Sequence, residues 1–239
     1  MGKKVIFCTP SIGGPTAPYI KFLEDSLPLI EAAGWEESYV QEISNPYISG
    51  ARAIMARNAI DAKADVLVFL DYDLSWDPKD LLTLIETEGD VVTGTYRFKK
   101  PEEEYMGRWI TDDDGNPMVR KTDGAIATYL APAGFLKVTK QAIGIFMRAY
   151  PELVYGDPTF PAVDLFNHGA RNNVWWGEDF AFCDRWVKAG QKLWTVPNLN
   201  INHHTPNDAY MGNFHEFLLR QDGGINFTKE NEDESYRTR

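Results

Sequence analysis

The first hundred residues alternate between short apolar runs and longer stretches with helical spacing. Residues 5–9 are apolar and β-prone, and Pro10, Gly13, Gly14 and Pro15 end them. Residues 16–33 place Tyr19, Ile20, Leu23, Leu27 and Ile30 at helical spacing. Gly34 stops that helix, and Pro28 is a point where it would kink or split. Residues 37–43 alternate as a strand, and Asn45-Pro46 marks a turn. Residues 48–64 read as a second helix with Ile54, Ala59 and Ile60 on its apolar side. Then Val66, Leu67, Val68, Phe69 and Leu70 follow without a break. Such a run predicts a strand buried on both faces, as in a parallel α/β sheet. Residues 78–88 form the next helix, with Asp77 as N-cap and Pro78 in its first turn, and residues 90–96 a Val- and Thr-rich strand. This order predicts a mainly parallel sheet flanked by helices.

The regularity breaks after Thr95. Arg97, Lys99 and Lys100 form a basic patch, followed by Glu102, Glu103 and Glu104. Asp114-Gly115 predicts a hairpin between residues 105–110 and 117–122. The acidic cluster Asp112 to Asp114 lacks the spacing and closing Glu of a calcium loop and reads as a solvated turn. Residues 125–130 and 135–138 predict short strands, and 139–150 a helix. Residues 151–173 carry Pro151, Gly156, Pro158, Pro161 and Gly169 and predict a long irregular loop, read as a flap on the acceptor side. A helix opens at Glu178, with Phe180, Cys183 and Val187 on its apolar face and Gly190 as its stop. Residues 193–196 and 199–204 predict strands, the second ending in His203 and His204, and a last helical piece ends near Leu219. The expected organisation is one α/β domain over residues 1–228, with a nucleotide-binding half (1–100), an acceptor-binding half (101–228) and a disordered charged tail (229–239).

Chemistry gathers at three places. Asp71 and Asp73 leave the core at the carboxyl end of the central strand, where ligands bind in such sheets. Two hard oxygen ligands there suit Mg²⁺ or Mn²⁺ holding a diphosphate. The alternative is that they merely lead into the next helix. Arg52 and Arg57 precede that strand and form a candidate diphosphate clamp; the alternative is a solvated helix face. Trp175, Trp176 and Gly177 make a tight aromatic turn that delivers Glu178 and Asp179. Carboxylates at a helix N-terminus are also explained by the helix dipole alone. His203 or His204 supplies a nitrogen ligand beside Asp73, or simply ends a strand.

Composition narrows the classes. The chain has 239 residues, of which 44% are hydrophobic, enough for a sizeable core. The formal charge of −11 argues against broad binding to nucleic acid or anionic membranes. Cys8 and Cys183 stand alone in apolar settings and read as buried free thiols in a reducing compartment. No signal peptide, myristoylation pattern or membrane-length apolar run is present, so no membrane partner and a cytoplasmic location are expected.

An apolar strand ending in Asp71-Tyr72-Asp73, then Trp176-Gly177-Glu178-Asp179 opening a helix, then a strand ending in His203, resembles the GT-A class of metal-dependent glycosyltransferases. With Arg185 and Gly190, the second motif is similar to that of galactosyl- and N-acetylgalactosaminyl-transferases, with one Gly before the acidic pair where those usually have two. Ala56-Arg57-Asn58 and Tyr210 to Phe214 make the chain similar to small glycosyltransferases of bacterial and bacteriophage genomes, over residues 4–220.

The resemblance implies a GT-A-like, Rossmann-like fold and transfer from a nucleotide sugar, UDP-hexose favoured, to an acceptor hydroxyl. It implies Mn²⁺ or Mg²⁺ on Asp73 and His203, with Asp71 at the ribose or a metal-bound water. Thr9 and Pro10 would line the nucleotide pocket, Arg57 and Asn58 would approach the nucleotide, and Trp176 would stand on the donor side. Asp179 would be the general base of an inverting displacement, and Glu178 would bind a sugar or acceptor hydroxyl. Saccharides are the favoured acceptors. Hydroxymethylated pyrimidines of phage DNA are an alternative, tracked by Arg97, Lys99, Lys100, Arg108, Arg120 and Lys121. A sugar nucleotidyltransferase is disfavoured because residues 11–15 carry no Lys or Arg. A non-catalytic carbohydrate- or nucleotide-binding module leaves the Glu178-Asp179 pair without a reason.

Overall fold

Apolar side chains on two successive strands point alternately to opposite sides, and each side has found its own cover of helices. A computed structural model describes residues 3–43 and 45–221. In chain order its elements are β1 (Lys3–Ser11), α1 (Ala17–Ala32), β2 (Trp35–Ile43), α2 (Ile48–Asp61), β3 (Val66–Leu70), β4 (Leu74–Trp76), α3 (Pro78–Glu86) and β5 (Val91–Gly94). Next come β6 (Arg108–Trp109), β7 (Ile126–Leu130), β8 (Phe135–Thr139), α4 (Lys140–Ala149), β9 (Val154–Asp157), β10 (Phe160–Val163), β11 (Gly169–Arg171) and β12 (Val174–Trp176). The chain finishes with α5 (Glu178–Lys188), β13 (Leu193–Val196), β14 (Ile201–His204), β15 (Ala209–Tyr210) and α6 (Phe214–Leu219). The expected tail, 229–239, lies outside the described residues.

The main sheet has the order β2-β1-β3-β8-β5-β13-β7-β6. β1 pairs in parallel with β2 and β3, and β13 with β5, as the strand–helix alternation predicts. β8 runs antiparallel to both β3 and β5, and β7 antiparallel to β13 and β6. Only β7 and β8 run against the other six strands of this sheet, so the fold is a mixed, mainly parallel α/β sheet flanked by helices. Val5, Phe7, Val66, Val68 and Leu70 pack with α1 and α3 through Tyr19, Ile30, Leu81 and Leu84. Ile6, Cys8, Leu67 and Phe69 pack with α2, α4 and α5 through Met55, Phe146, Phe182 and Trp186. Each large side chain buried this way contributes about 1.5–3 kcal/mol. Both thiols are buried and free, and burial pushes both up in pKa.

Three local expectations are corrected. α1 runs through Pro28 without splitting. The buried stripe of α2 is Ala51, Arg52, Met55, Ala56 and Ala59, while Ile54 is exposed; small residues let the helix lie close to the sheet. Residues 151–173 are not one irregular loop. They hold the hairpin β9–β10 and most of the hairpin β11–β12. Asn172 and Asn173 turn the second one with φ of 52° and 63°, the left-handed values that Asn tolerates.

Lys137 shows how β8 is tolerated at the centre. Its ammonium is buried and donates to the carbonyls of Ile85 (3.0 Å) and Thr87, at the end of α3. A cation at a helix C-terminus meets otherwise orphaned carbonyls.

Candidate active site

β3 ends at Leu70, and the next residue turns toward the sheet edge. The Asp71 amide donates to the carbonyl of Gly134 at 2.8 Å, which fixes the turn against the start of β8. Gly134 must be glycine: a Cβ there would stand 2.2 Å from both Asp71 Oδ2 and the Tyr96 hydroxyl.

Arg52 joins the two acidic motifs. It is 1% exposed, and its guanidinium donates to Asp71 Oδ1 at 2.8 Å and to Glu178 Oε1 at 2.8 Å. It also lies over the Phe166 ring, 5.1 Å from the centroid. Burial alone would lower its pKa, but the charges of Asp71, Glu178 and Asp179 outweigh that and raise it. The other oxygen of Asp71 accepts from Tyr96 at 3.3 Å, and burial keeps that phenol protonated, helped by the Asp71 charge. Arg52 thus reaches across 126 positions of sequence to join Glu178 to Asp71.

Asp73 faces a different set. Its Oδ2 receives the Lys99 ammonium and stands 3.6 Å from His203 Nε2. His203 Nδ1 lies 2.9 Å from the Arg97 carbonyl, which can only accept. Nδ1 therefore carries a proton, and Nε2 is the ring nitrogen that faces Asp73. Burial acts to raise the Asp73 carboxyl, yet contacts with His203 and Lys99 hold it below the ordinary value. His204 pairs instead with Ser75 Oγ at 2.8 Å, and its amide donates to the Asp73 carbonyl. Burial lowers its pKa against the pull of Asp73.

At the head of α5, Asp179 Oδ1 accepts the Phe180 amide at 2.7 Å. Its carboxyl is pushed up to about 6, chiefly by burial and then by the Glu178 charge. That places a half-buried carboxyl of raised pKa beside the Arg52 cluster.

The donor set fits a divalent cation in one way. Asp73 and His203 form an oxygen–nitrogen pair, and the Arg97 carbonyl behind it fixes the imidazole tautomer. Among the described residues no group of three His, Cys, Asp or Glu side chains is placed to hold a metal. Both oxygens of Asp71 are already partnered by Arg52 and Tyr96. Mg²⁺ bound by one or two protein groups and completed by phosphate oxygens and water is a common arrangement.

The remaining expected residues fall elsewhere. Thr9 is fully buried and bonds to the Tyr19 hydroxyl, and Pro10 is buried beside it at the same sheet edge as Asp71. Arg57 binds Asp61, the Pro161 carbonyl and the Phe160 ring. It sits five residues, about 7.5 Å, further along α2 than Arg52. Asn58 is exposed on the same stretch. Trp176 lies under the Arg171 guanidinium, 5.0 Å from the ring centroid. The basic strip is engaged as well: Arg97 with three carbonyls, Lys99 with Asp73, Lys100 with Glu104 and Arg120 with Asp123. A cavity of about 470 Å³ between α1 and β2, lined by Phe7, Tyr19, Leu23, Tyr39 and Gln41, shares no residue with the carboxylate cluster.

Sequence reasoning gives no site role to Tyr96 or Gly134, reads Lys99 only as part of a basic strip, and offers Arg52 as half of a diphosphate clamp where it holds two carboxylates. The signal for Arg52 was its spacing: with Met55, Ala56 and Ala59 it occupies one apolar face.

No protein-family model matches this chain, and no curated protein matches it in sequence. Among solved structures it is similar to a mannose-1-phosphate geranyltransferase from Thermus thermophilus, at 14% identity and a TM-score of 0.46 over 81% of this chain and 73% of that one. It is also similar to a glycosyltransferase involved in the glycosylation of the major capsid of PBCV-1, at 14% identity and a TM-score of 0.35 over 62% and 66%. No helix among the described residues is long and apolar enough to cross a membrane.

Proposed function

We propose that the chain is a divalent-cation-dependent glycosyltransferase. It moves a sugar, UDP-hexose favoured, from a nucleotide donor held by residues 1–100 to an acceptor hydroxyl held by residues 101–228. The observation that supports this reading is the Arg52 fork, which joins Asp71 to Glu178 at the head of α5, next to Asp179.

Asp73 and His203 would hold the cation. When bound, it supplies a Lewis acid to the departing phosphate oxygens. Asp179 takes the proton of the acceptor hydroxyl as that oxygen bonds to the anomeric carbon, and the bond from that carbon to the diphosphate oxygen breaks. Displacement is direct, so the configuration inverts. Glu178, fixed by Arg52, orients a sugar or acceptor hydroxyl. Asp71, paired with Arg52 and hydrogen-bonded by Tyr96, shapes the ribose side.

Calorimetry of UDP with and without Mn²⁺ tests the site. Wild type binds UDP only with the metal, and Asp73→Asn loses that binding by tenfold or more, on the order of one charged ligand contact. Equal binding without metal, or an unaffected Asp73→Asn, overturns the assignment. Transfer assays with anomeric NMR of the product then test the stereochemistry, and retained configuration removes Asp179 as base.

A further inference from the structure

The ion pair between Lys99 and Asp73 has no counterpart in the roles above. Asp73 Oδ2 and His203 Nε2 face each other at 3.6 Å. The Lys99 ammonium lies against the same Asp73 oxygen. Its backbone is fixed. The Phe98 amide donates to the Glu104 carbonyl at 3.0 Å, and the Lys100 amide to the Phe98 carbonyl at 2.8 Å. Arg97 closes the same turn through the carbonyls of Lys100 and Pro101. The side chain is partly exposed, at 35%, while Asp73 is 13% exposed. A flexible four-carbon stem on a rigid turn lets the ammonium pivot without moving the loop.

Resting on the reading above, we infer that Lys99 is a resident counter-ion of Asp73 that yields its place to the divalent cation and then holds the donor diphosphate. The reason is charge. A cation shared by Asp73 and His203 repels an ammonium on the same carboxylate oxygen. The nearest new anion is the diphosphate that the cation brings with it. The Lys99 charge is then a phosphate contact, a role that Lys fills as a point charge. Lys99 therefore opposes metal binding to the free protein and favours nucleotide binding to the loaded one. A residue with only a structural role would not move these two affinities in opposite directions.

The test is Mn²⁺ binding to the free protein, read by the electron paramagnetic resonance of unbound Mn²⁺. Nucleoside diphosphate binding at saturating Mn²⁺ is read in parallel by calorimetry. Lys99→Met and Lys99→Gln bind Mn²⁺ alone about tenfold more tightly than wild type and bind the nucleoside diphosphate about tenfold more weakly, the size of one charge-assisted contact. Lys99→Arg keeps wild-type order in both. Thermal melts establish that each variant is folded. If wild type binds both ligands and Lys99→Met and Lys99→Gln behave identically to it, or shift both affinities the same way, the Lys99 assignment is overturned and the transferase reading stands. If wild type binds neither Mn²⁺ nor any nucleoside diphosphate, the transferase reading falls and takes this one with it.

Discussion

Two adjacent carboxylates at the head of α5 are held in different ways. Glu178 meets the Arg52 guanidinium at 2.8 Å, while Asp179 is half-buried beside the Glu178 charge. Burial first and that charge second raise the Asp179 carboxyl to about 6. In the proposed role of base Asp179 must be ionised, so transfer is expected to rise with pH through about 6 and level above it. Asp179→Asn removes the rise and about 10²–10⁴ of the rate, measured as kcat against pH. Stability has the opposite sign. The folded chain holds this proton more tightly than the unfolded chain, whose carboxyl has a pKa of about 4. The contribution is full below that value and is lost as pH rises through about 6. Asp179→Asn escapes the loss and gains about 2 kcal/mol on wild type between pH 4 and 7 in urea titrations. The residue types at the site were legible as chemistry: Asp71, Asp73, Glu178, Asp179 and His203 stand at element ends. Their partners were not, because a side chain's direction depends on helix rotation and strand pairing.

Among the elements, one buried cation ties α2 to the end of β3 and the start of α5. Arg52→Met leaves Asp71 and Glu178 without their counter-charge, and destabilises by about 3–5 kcal/mol in denaturant melts. Arg52→Lys restores the charge but not the two-pronged geometry, and recovers only part of that loss. An unchanged midpoint in Arg52→Met would remove the fork as a structural element. Element types were largely readable from period and punctuation. β3 falls on the predicted residues, because five consecutive apolar side chains have no amphipathic alternative. The hairpins β9–β10 and β11–β12 were missed, since Pro and Gly read as loop while the Asn172-Asn173 turn was passed over. The N-cap of α3 is at Asp77, but its carboxylate serves Asn200 at 2.9 Å instead of the helix, a contact with the approach to β14 that no local pattern announces.

The molecule as a unit carries a formal charge of −11. The residues that would have tracked a nucleic-acid backbone include Arg97, Lys99, Lys100 and Arg120, each already held by a carbonyl or carboxylate. The chain should therefore not retain duplex DNA, hydroxymethylated or not, in a mobility-shift assay at physiological salt. Retention that weakens steeply with added salt would restore DNA as an acceptor.

The α/β class, the place of β3 and the two acidic motifs could be read along the chain, because period, length and residue type act over short range. That β8 enters antiparallel between β3 and β5, with Lys137 capping α3, emerges only from the packed molecule. So does the choice of Arg52 over Arg57 to reach the carboxylates, and so does the seat of Lys99 on Asp73. One cause underlies all three. A buried charge must be matched by a partner, and the partner is chosen by which elements pack together, not by distance along the chain.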